Sequence, residues 1–176
     1  AHVPFVTLKG DTEAVVEGYK TIGCECIAVP YLGEGERPGD PDFDKVLAEI
    51  DKIGAVCESK GLILIYHNHD FEFDTIDGET IFDRLYATLD EKVLNPQIDT
   101  CWVHYGGYNP SEYIRKYANR LGVLHLKDFS CKALGGGPAY ALIDGEGKET
   151  AKPTKEDNEF KFQPLGMGRR DFKAIL

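Results

Sequence analysis

The sequence predicts an α/β protein built from parallel βα units, a (β/α)8 barrel present in incomplete form. Three observations carry this. Short, unbroken apolar runs such as Leu62–Tyr66 are the pattern of strands buried on both faces. Amphipathic helical stretches alternate with those runs, giving a repeat of roughly 30–35 residues, the size of a βα unit. Polar clusters stand at the C-terminal ends of the strands, where such sheets place their chemistry. A closed barrel needs eight units and about 250 residues. The chain has 176 residues and reads as one domain over 1–176, with four complete units and the first strand or two and the last absent. An open doubly wound sheet is the rival architecture. It calls for a Gly-rich phosphate turn after a strand, and no GxGxxG stands in that context.

In chain order, His2–Leu8 is an apolar stretch that fits the tail of a strand. Asp11 caps a helix through Ile22, with Val15, Val16, Tyr19 and Ile22 on one face and Gly23 as the stop. Cys24–Val29 is a buried strand, followed by a Gly- and Glu-rich loop. Asp40-Pro41 starts a helix in which Phe43, Val46, Leu47, Ile50, Ile53 and Val56 recur at helical spacing, ending at Gly61. The central strand follows and turns abruptly into His67-Asn68-His69-Asp70. After a turn at Asp77-Gly78 comes a helix with Ile81, Phe82, Leu85 and Leu89 inward. Val93–Ile98 is a strand with Asp99-Thr100-Cys101-Trp102 at its far end. Asn109-Pro110-Ser111-Glu112 is a capping box opening another helix. Leu121–Leu126 is a strand ending in His125, Lys127 and Asp128. A long loop covers about 130–159, with one excursion at Tyr140–Ile143. Phe160–Pro164 is a last strand, Gly166-Met167-Gly168 a tight turn, and Asp171–Leu176 the start of a helix.

Composition narrows the function. The formal net charge of −10 argues against nucleic-acid or anionic-membrane partners, which depend on clustered Lys and Arg. No apolar run approaches the ~18 residues of a membrane span. The five cysteines form no CxxC and do not pair as a disulfide framework; those at 24, 26, 57 and 101 fall in buried elements. A reducing cytoplasm is the expected location, although the chain begins at Ala1 with neither Met nor a signal-like segment.

Ligand-type residues stand at three strand ends: His67 and His69, then Asp99, then His125. In a strand, His67 and His69 would share a side, and in a barrel the three ends meet on one face. Imidazoles with a carboxylate suit a divalent ion, which would acidify a C–H or O–H beside a bound carbonyl or hydroxyl. Glu72 and Lys127 are then candidates for proton transfer or for holding an anionic oxygen, and Trp102 and Tyr66 for stacking on a sugar ring. The plainer readings are that Asp99 caps a turn, His125 is a hydrogen-bonded core imidazole and Trp102 is core.

Tyr66-His67-Asn68-His69-Asp70-Phe71-Glu72-Phe73, Asp99-Thr100-Cys101-Trp102-Val103, His125-Leu126-Lys127-Asp128 and Pro164-Leu165-Gly166-Met167-Gly168 resemble the xylose-isomerase-like barrel superfamily. The nearest group is the sugar phosphate isomerases/epimerases, related to inosose dehydratase. The resemblance implies a divalent metal at the barrel mouth, Mn foremost, with Zn, Mg or Co as alternatives. It is held by a Glu or His, an Asp, a His and a final Glu. By that pattern Asp99 and His125 are ligands, the first position falls to His67 or to His69 two residues on, and the final Glu is expected beyond Leu176. Asp128 and His2 join Tyr66 and Trp102 as expected substrate contacts. The implied reaction is proton abstraction next to a carbonyl through an enediolate, giving isomerisation or epimerisation of a sugar or cyclitol. Loss of a β-hydroxyl would instead make it a dehydratase. The expected partner is a small carbohydrate, with homo-oligomerisation open. A non-catalytic carbohydrate-binding barrel and, against the acidic balance, an abasic-site DNA endonuclease are the other readings.

Overall fold

The computed structural model describes residues 1–134 and 158–175. A single helical turn, α1 (Phe5–Leu8), precedes α2 (Thr12–Thr21), whose first turn is closed by the Asp11 carboxylate accepting the Ala14 N–H at 3.1 Å. Gly23 ends it in the left-handed region at φ 85°. Val16 is fully buried there, but Ile22 lies beyond the last turn and is exposed, so the predicted face is one residue too long. Strand β1 (Cys26–Val29) leads through the 30–42 loop to α3 (Phe43–Ser59). That helix starts later than Asp40-Pro41 suggests. The Asp40 carboxylate accepts the Arg37 N–H at 2.9 Å and so closes the loop rather than capping the helix. Next come β2 (Ile63–His67), a 3-10 turn at Phe71–Phe73, the hairpin β3 (Thr75–Ile76) and β4 (Glu79–Thr80), and α4 (Ile81–Thr88). Asp77 and Gly78, both at positive φ, make the hairpin turn. The remaining elements are β5 (Asn95–Asp99), α5 (Thr100–Tyr105), α6 (Pro110–Lys116), β6 (Val123–His125), β7 (Asp128–Ser130) and β8 (Lys161–Gln163).

Strands β1, β2, β5 and β6 form one parallel sheet in sequence order, an open arc of a barrel. Beyond β1 the sheet continues into Ala1–Val3: the Val3 N–H donates to Ala28 O at 2.9 Å and the Ala28 N–H to Ala1 O at 2.7 Å. Of the predicted strand tail His2–Leu8, only the start up to Val3 lies in the sheet; Phe5–Leu8 forms the helical turn α1 instead. In β2 and its approach, Leu62, Leu64, Ile65 and Tyr66 are buried, with cover on both faces, but Ile63 at the start of the strand is exposed, contrary to the expected unbroken burial. One cover is α3, through Val46, Ile50, Ile53 and Cys57. Gly54 lets this helix approach closely, since a Cβ there would meet Val93 O at 2.6 Å. The same core continues through Phe73, Phe82, Tyr86 and Tyr113, and a second, smaller cluster joins Cys101, Trp102, Tyr105 and Phe129.

Three departures concern the C-terminal third. The predicted strand at Phe160–Pro164 exists as β8, but it pairs antiparallel with β7 (Phe129 opposite Phe162) and stands outside the parallel sheet. Asp171 begins successive turns through Ile175 rather than a helix. The expected excursion at Tyr140–Ile143 and most of the 130–159 loop lie outside the described residues. Among the described residues, no helix is long and apolar enough to cross a membrane.

Candidate metal centre

The parallel register sets Asp99 beside His125 and places His67 level with Gln97, so three strand ends deliver side chains to one spot. His67 Nε2 lies 3.2 Å from Asp99 Oδ2 and 3.0 Å from His125 Nδ1, and His125 Nδ1 is 3.2 Å from the same Asp99 oxygen. Asp99 and His67 are buried, whereas His125 is partly open, which gives the triad a solvent side. Each member is braced. The other Asp99 oxygen, Oδ1, accepts the Cys101 and Trp102 N–H groups at 2.9 and 3.2 Å and so caps α5. The plain reading of Asp99 as a cap thus holds for one oxygen, and the other is left facing the two imidazoles. The fully buried Asn68 ties β2 to β5, accepting the Asp99 N–H at 2.8 Å. The Thr100 hydroxyl accepts the Lys127 N–H at 3.2 Å and holds the end of β6.

The donor set fits a cation. Pro30 O, an acceptor only, lies 3.3 Å from His67 Nδ1 and fixes that ring's proton there. His67 Nε2 therefore aims a lone pair at the Asp99 carboxylate and at the His125 ring. In the tautomer that leaves His125 Nδ1 unprotonated, three electron-rich atoms converge here, and a cation among them would offset their repulsion. Their spacing is that of ligands sharing one ion with bonds of about 2.1 Å. Burial holds the His125 pKa below its ordinary value against the pull of Asp99, which favours the neutral ring a metal ligand requires.

The other predicted site residues divide. His69 lies past the end of β2, so strand alternation does not govern it, and it is not one of the three converging ligands. Its ring sits 4.7 Å from that of His67 and stacks on Phe71. Burial, reinforced by His67 and Lys127, pushes its pKa down to about 2. His2 reaches the site from the neighbouring strand tail, its ring 5.1 Å from that of His67, with Nε2 bonded to Gln97 Oε1 at 2.7 Å. Lys127 Nζ lies 3.8 Å from Asp99 Oδ2.

Glu72 is elsewhere. Its side chain is enclosed and accepts from the Tyr66 hydroxyl and from the His69 N–H at 2.7 Å, so it braces the turn after β2. Tyr66 is spent in the same contact and is fully buried, which withdraws it from a sugar-stacking role. Asp128 also turns inward. It accepts the Gly166, Gly168 and Arg170 N–H groups at 2.9, 2.8 and 3.1 Å, cradling the Gly-Met-Gly turn rather than facing a substrate. A Cβ at Gly168 would run into Asp128 Oδ1, so the turn requires glycine. Trp102 is buried under Phe160, which stacks on it. Asn68, Thr100 and Gln97 were missed: single polar residues carry no periodic signal.

A parallel βα sheet that brings two imidazoles and a carboxylate to the C-terminal ends of its strands defines a barrel-type protein with a candidate cation site at the strand ends. The xylose isomerase-like TIM barrel family matches residues 12–176, and the chain belongs to it. Inosose dehydratase of Clostridium beijerinckii is 36% identical over 103 residues, 57% of this chain and 34% of that protein. Inosose dehydratase of Clostridium botulinum aligns over 130 residues at 30% identity, 73% of this chain and 42% of that protein. The chain thus matches well under half the length of these curated relatives. The crystal structure of a sugar phosphate isomerase/epimerase from Parabacteroides distasonis superposes with a TM-score of 0.64 at 19% identity, covering 89% of this chain and 65% of that one. At that identity the likeness is one of fold.

Proposed function

We propose that the protein is a metal-dependent enzyme of keto-sugars or keto-cyclitols that abstracts a proton next to a carbonyl. Dehydration is the favoured outcome, with isomerisation or epimerisation as the second reading. The observation that carries this is the meeting of His67 Nε2, Asp99 Oδ2 and His125 Nδ1 at the strand ends. The inosose dehydratase relatives favour dehydration; the sugar isomerase/epimerase group, in which the early chemistry is the same, supplies the alternative. A divalent cation bound there, Mn being the leading choice, would polarise the substrate carbonyl and a neighbouring hydroxyl and so acidify the adjacent C–H.

The protein's own groups do the rest. Lys127 presents its ammonium beside Asp99, where it can neutralise the oxygen that gains charge as the proton leaves and can protonate a departing β-hydroxyl, which then leaves as water. His2 is the proton acceptor. Gln97 Oε1 holds its proton on Nε2, and burial lowers its pKa, so the ring stays neutral with a lone pair on Nδ1. Glu72, turned away from the triad, takes no part in proton transfer.

The test is the Mn-loaded protein with a keto-inositol in D2O. Deuterium should enter the carbon next to the carbonyl, and dehydrated product should accumulate; both should vanish on chelation. Binding of the ligand with neither exchange nor product would replace the enzyme reading with that of a carbohydrate-binding barrel. Exchange without water loss would favour the isomerase.

A further inference from the structure

Lys127 is held in an unusual way for a flexible side chain. Its Nζ lies 4.2 Å from the ring centre of Phe162 and 4.8 Å from that of Trp102. The two rings meet nearly at right angles, 80° with centres 5.7 Å apart, so the ammonium sits in the corner they form. The third neighbour is Asp99 Oδ2 at 3.8 Å. The walls of the corner differ. Trp102 is buried and fixed by Phe160 stacked on it, and Phe160 in turn stacks on Phe129. Phe162, on β8, is 49% exposed. Such exposure in a large aromatic contributes little to the core, and one of its faces is given to the Lys127 ammonium.

We propose that Phe162 is a positioning residue which, with Trp102, clamps the Lys127 ammonium against Asp99 and so aims it at the substrate oxygen. The catalytic half of this rests on the role proposed for Lys127; the clamp itself does not. An ammonium over aromatic faces is attracted by the negative face of each ring, the more so where water is partly excluded. A lysine has a flexible four-carbon stem that would otherwise sample many rotamers. The clamp removes that freedom before substrate arrives, which lowers the cost of placing a charge where one develops. It also gives the β7–β8 hairpin, which lies outside the barrel sheet, a part in the site.

Two measurements test this on Phe162→Leu and Phe162→Tyr. The first is the proton spectrum of the protein with labelled lysine. The Lys127 ε-methylene signals should lie upfield of the other lysines through the ring currents, return to the common position in Phe162→Leu, and stay upfield in Phe162→Tyr. The second is a double-mutant cycle on turnover by the Mn-loaded protein. Phe162→Leu should lower kcat about tenfold, the loss of one cation–π contact in a partly desolvated site, with Mn affinity and melting unchanged. Phe162→Tyr should restore it, and in a Lys127→Met background Phe162→Leu should cost nothing further. Lys127 signals at the common position in the parent protein, or an equal loss of kcat in both backgrounds, would overturn the proposal. An upfield Lys127 together with a fully active Lys127→Met would leave the clamp standing and defeat its catalytic half, along with the role given to Lys127 under the proposed function.

Discussion

Asp99→Asn separates the two jobs of one carboxylate. Asparagine keeps an oxygen at the Oδ1 position, and Asn is as good an N-cap as Asp, so the bonds to the Cys101 and Trp102 N–H groups survive. The change falls on the other atom. Where Oδ2 now faces His67 Nε2 and His125 Nδ1 at 3.2 Å each, an amide nitrogen would donate to those same ring nitrogens. The metal-free variant therefore loses no cap and gains donors where the parent has facing lone pairs. Its stability should stay within about 1 kcal/mol of the parent, or about 2–4 °C in melting temperature for a chain of this size. Cation binding should collapse, because the only anionic ligand of the three is gone and a donor points at the ion. We expect at least a hundredfold weaker Mn binding, about 2.7 kcal/mol. Metal at a hundred times the parent's Kd raises the parent's stability by about 2.7 kcal/mol; for the variant the same concentration should add less than about 0.5 kcal/mol. Calorimetric titration with Mn and melts with and without chelator read both quantities. A variant that binds Mn as tightly as the parent would refute the site, and one that binds weakly only because it no longer folds would refute the cap argument.

Two further predictions concern residues that the site does not use. Burial raises the Glu72 pKa from 4.5 to about 8, against the opposing hydrogen bonds from Tyr66 and His69, so the folded protein keeps a proton that the unfolded chain gives up. The stabilisation this represents is complete below pH 4.5 and is lost as pH rises through about 8, at most ~1.4 kcal/mol per pH unit. Glu72→Gln should flatten urea-unfolding stability across that window, and an unchanged slope would place the proton elsewhere. Asp128→Ala strips the acceptor from three backbone N–H groups of the Gly166–Arg170 turn and should cost about 3 kcal/mol or more in urea unfolding, with new proteolytic cleavage between Pro164 and Arg170. A loss under about 0.5 kcal/mol would mean that the turn holds without its cradle.

How much of this was legible follows a physical line. The strand Leu62–Tyr66, the Asp11 and Asn109 caps and the ends bearing His67, Asp99 and His125 all show in the sequence, because apolar period and capping chemistry are local. Both caps appear in the fold as read, Asn109 accepting the Ser111 N–H at 3.0 Å. What was missed depends on residues far apart in the chain. The pairing of β7 with β8 joins segments on either side of a long insertion, and nothing in Phe160–Pro164 says whether its partner is a barrel neighbour or a hairpin mate. Helix α5 is not expected from the sequence, which shows only a polar end to the Val93–Ile98 strand, because Thr100–Tyr105 is too short to display a helical period. Glu72 and Asp128 were expected in the site because a carboxylate beside a ligand motif suggests chemistry. Both turn out to accept backbone N–H groups, a role set by loops whose path the sequence does not reveal.

The parts that escaped a sequence reading are the ones that join the site to the fold. The Asp99 carboxylate starts α5 with one oxygen and faces the imidazoles with the other, so the helix cannot shift without moving a candidate ligand. Trp102, held by that cap through its own N–H, is one wall of the Lys127 corner, and Phe162 brings the second wall from the hairpin. Asp128, next to Lys127 and the first residue of β7, ties down the turn that follows β8 with its carboxylate. A candidate ligand, a cation and a pair of rings from three separate stretches of chain are thus brought together, the first and one ring through a shared helix cap. The consequence is an order of sensitivity: changes at Asp99 should disturb both metal affinity and the setting of Lys127, changes at Phe162 only the latter, and changes at Glu72 neither.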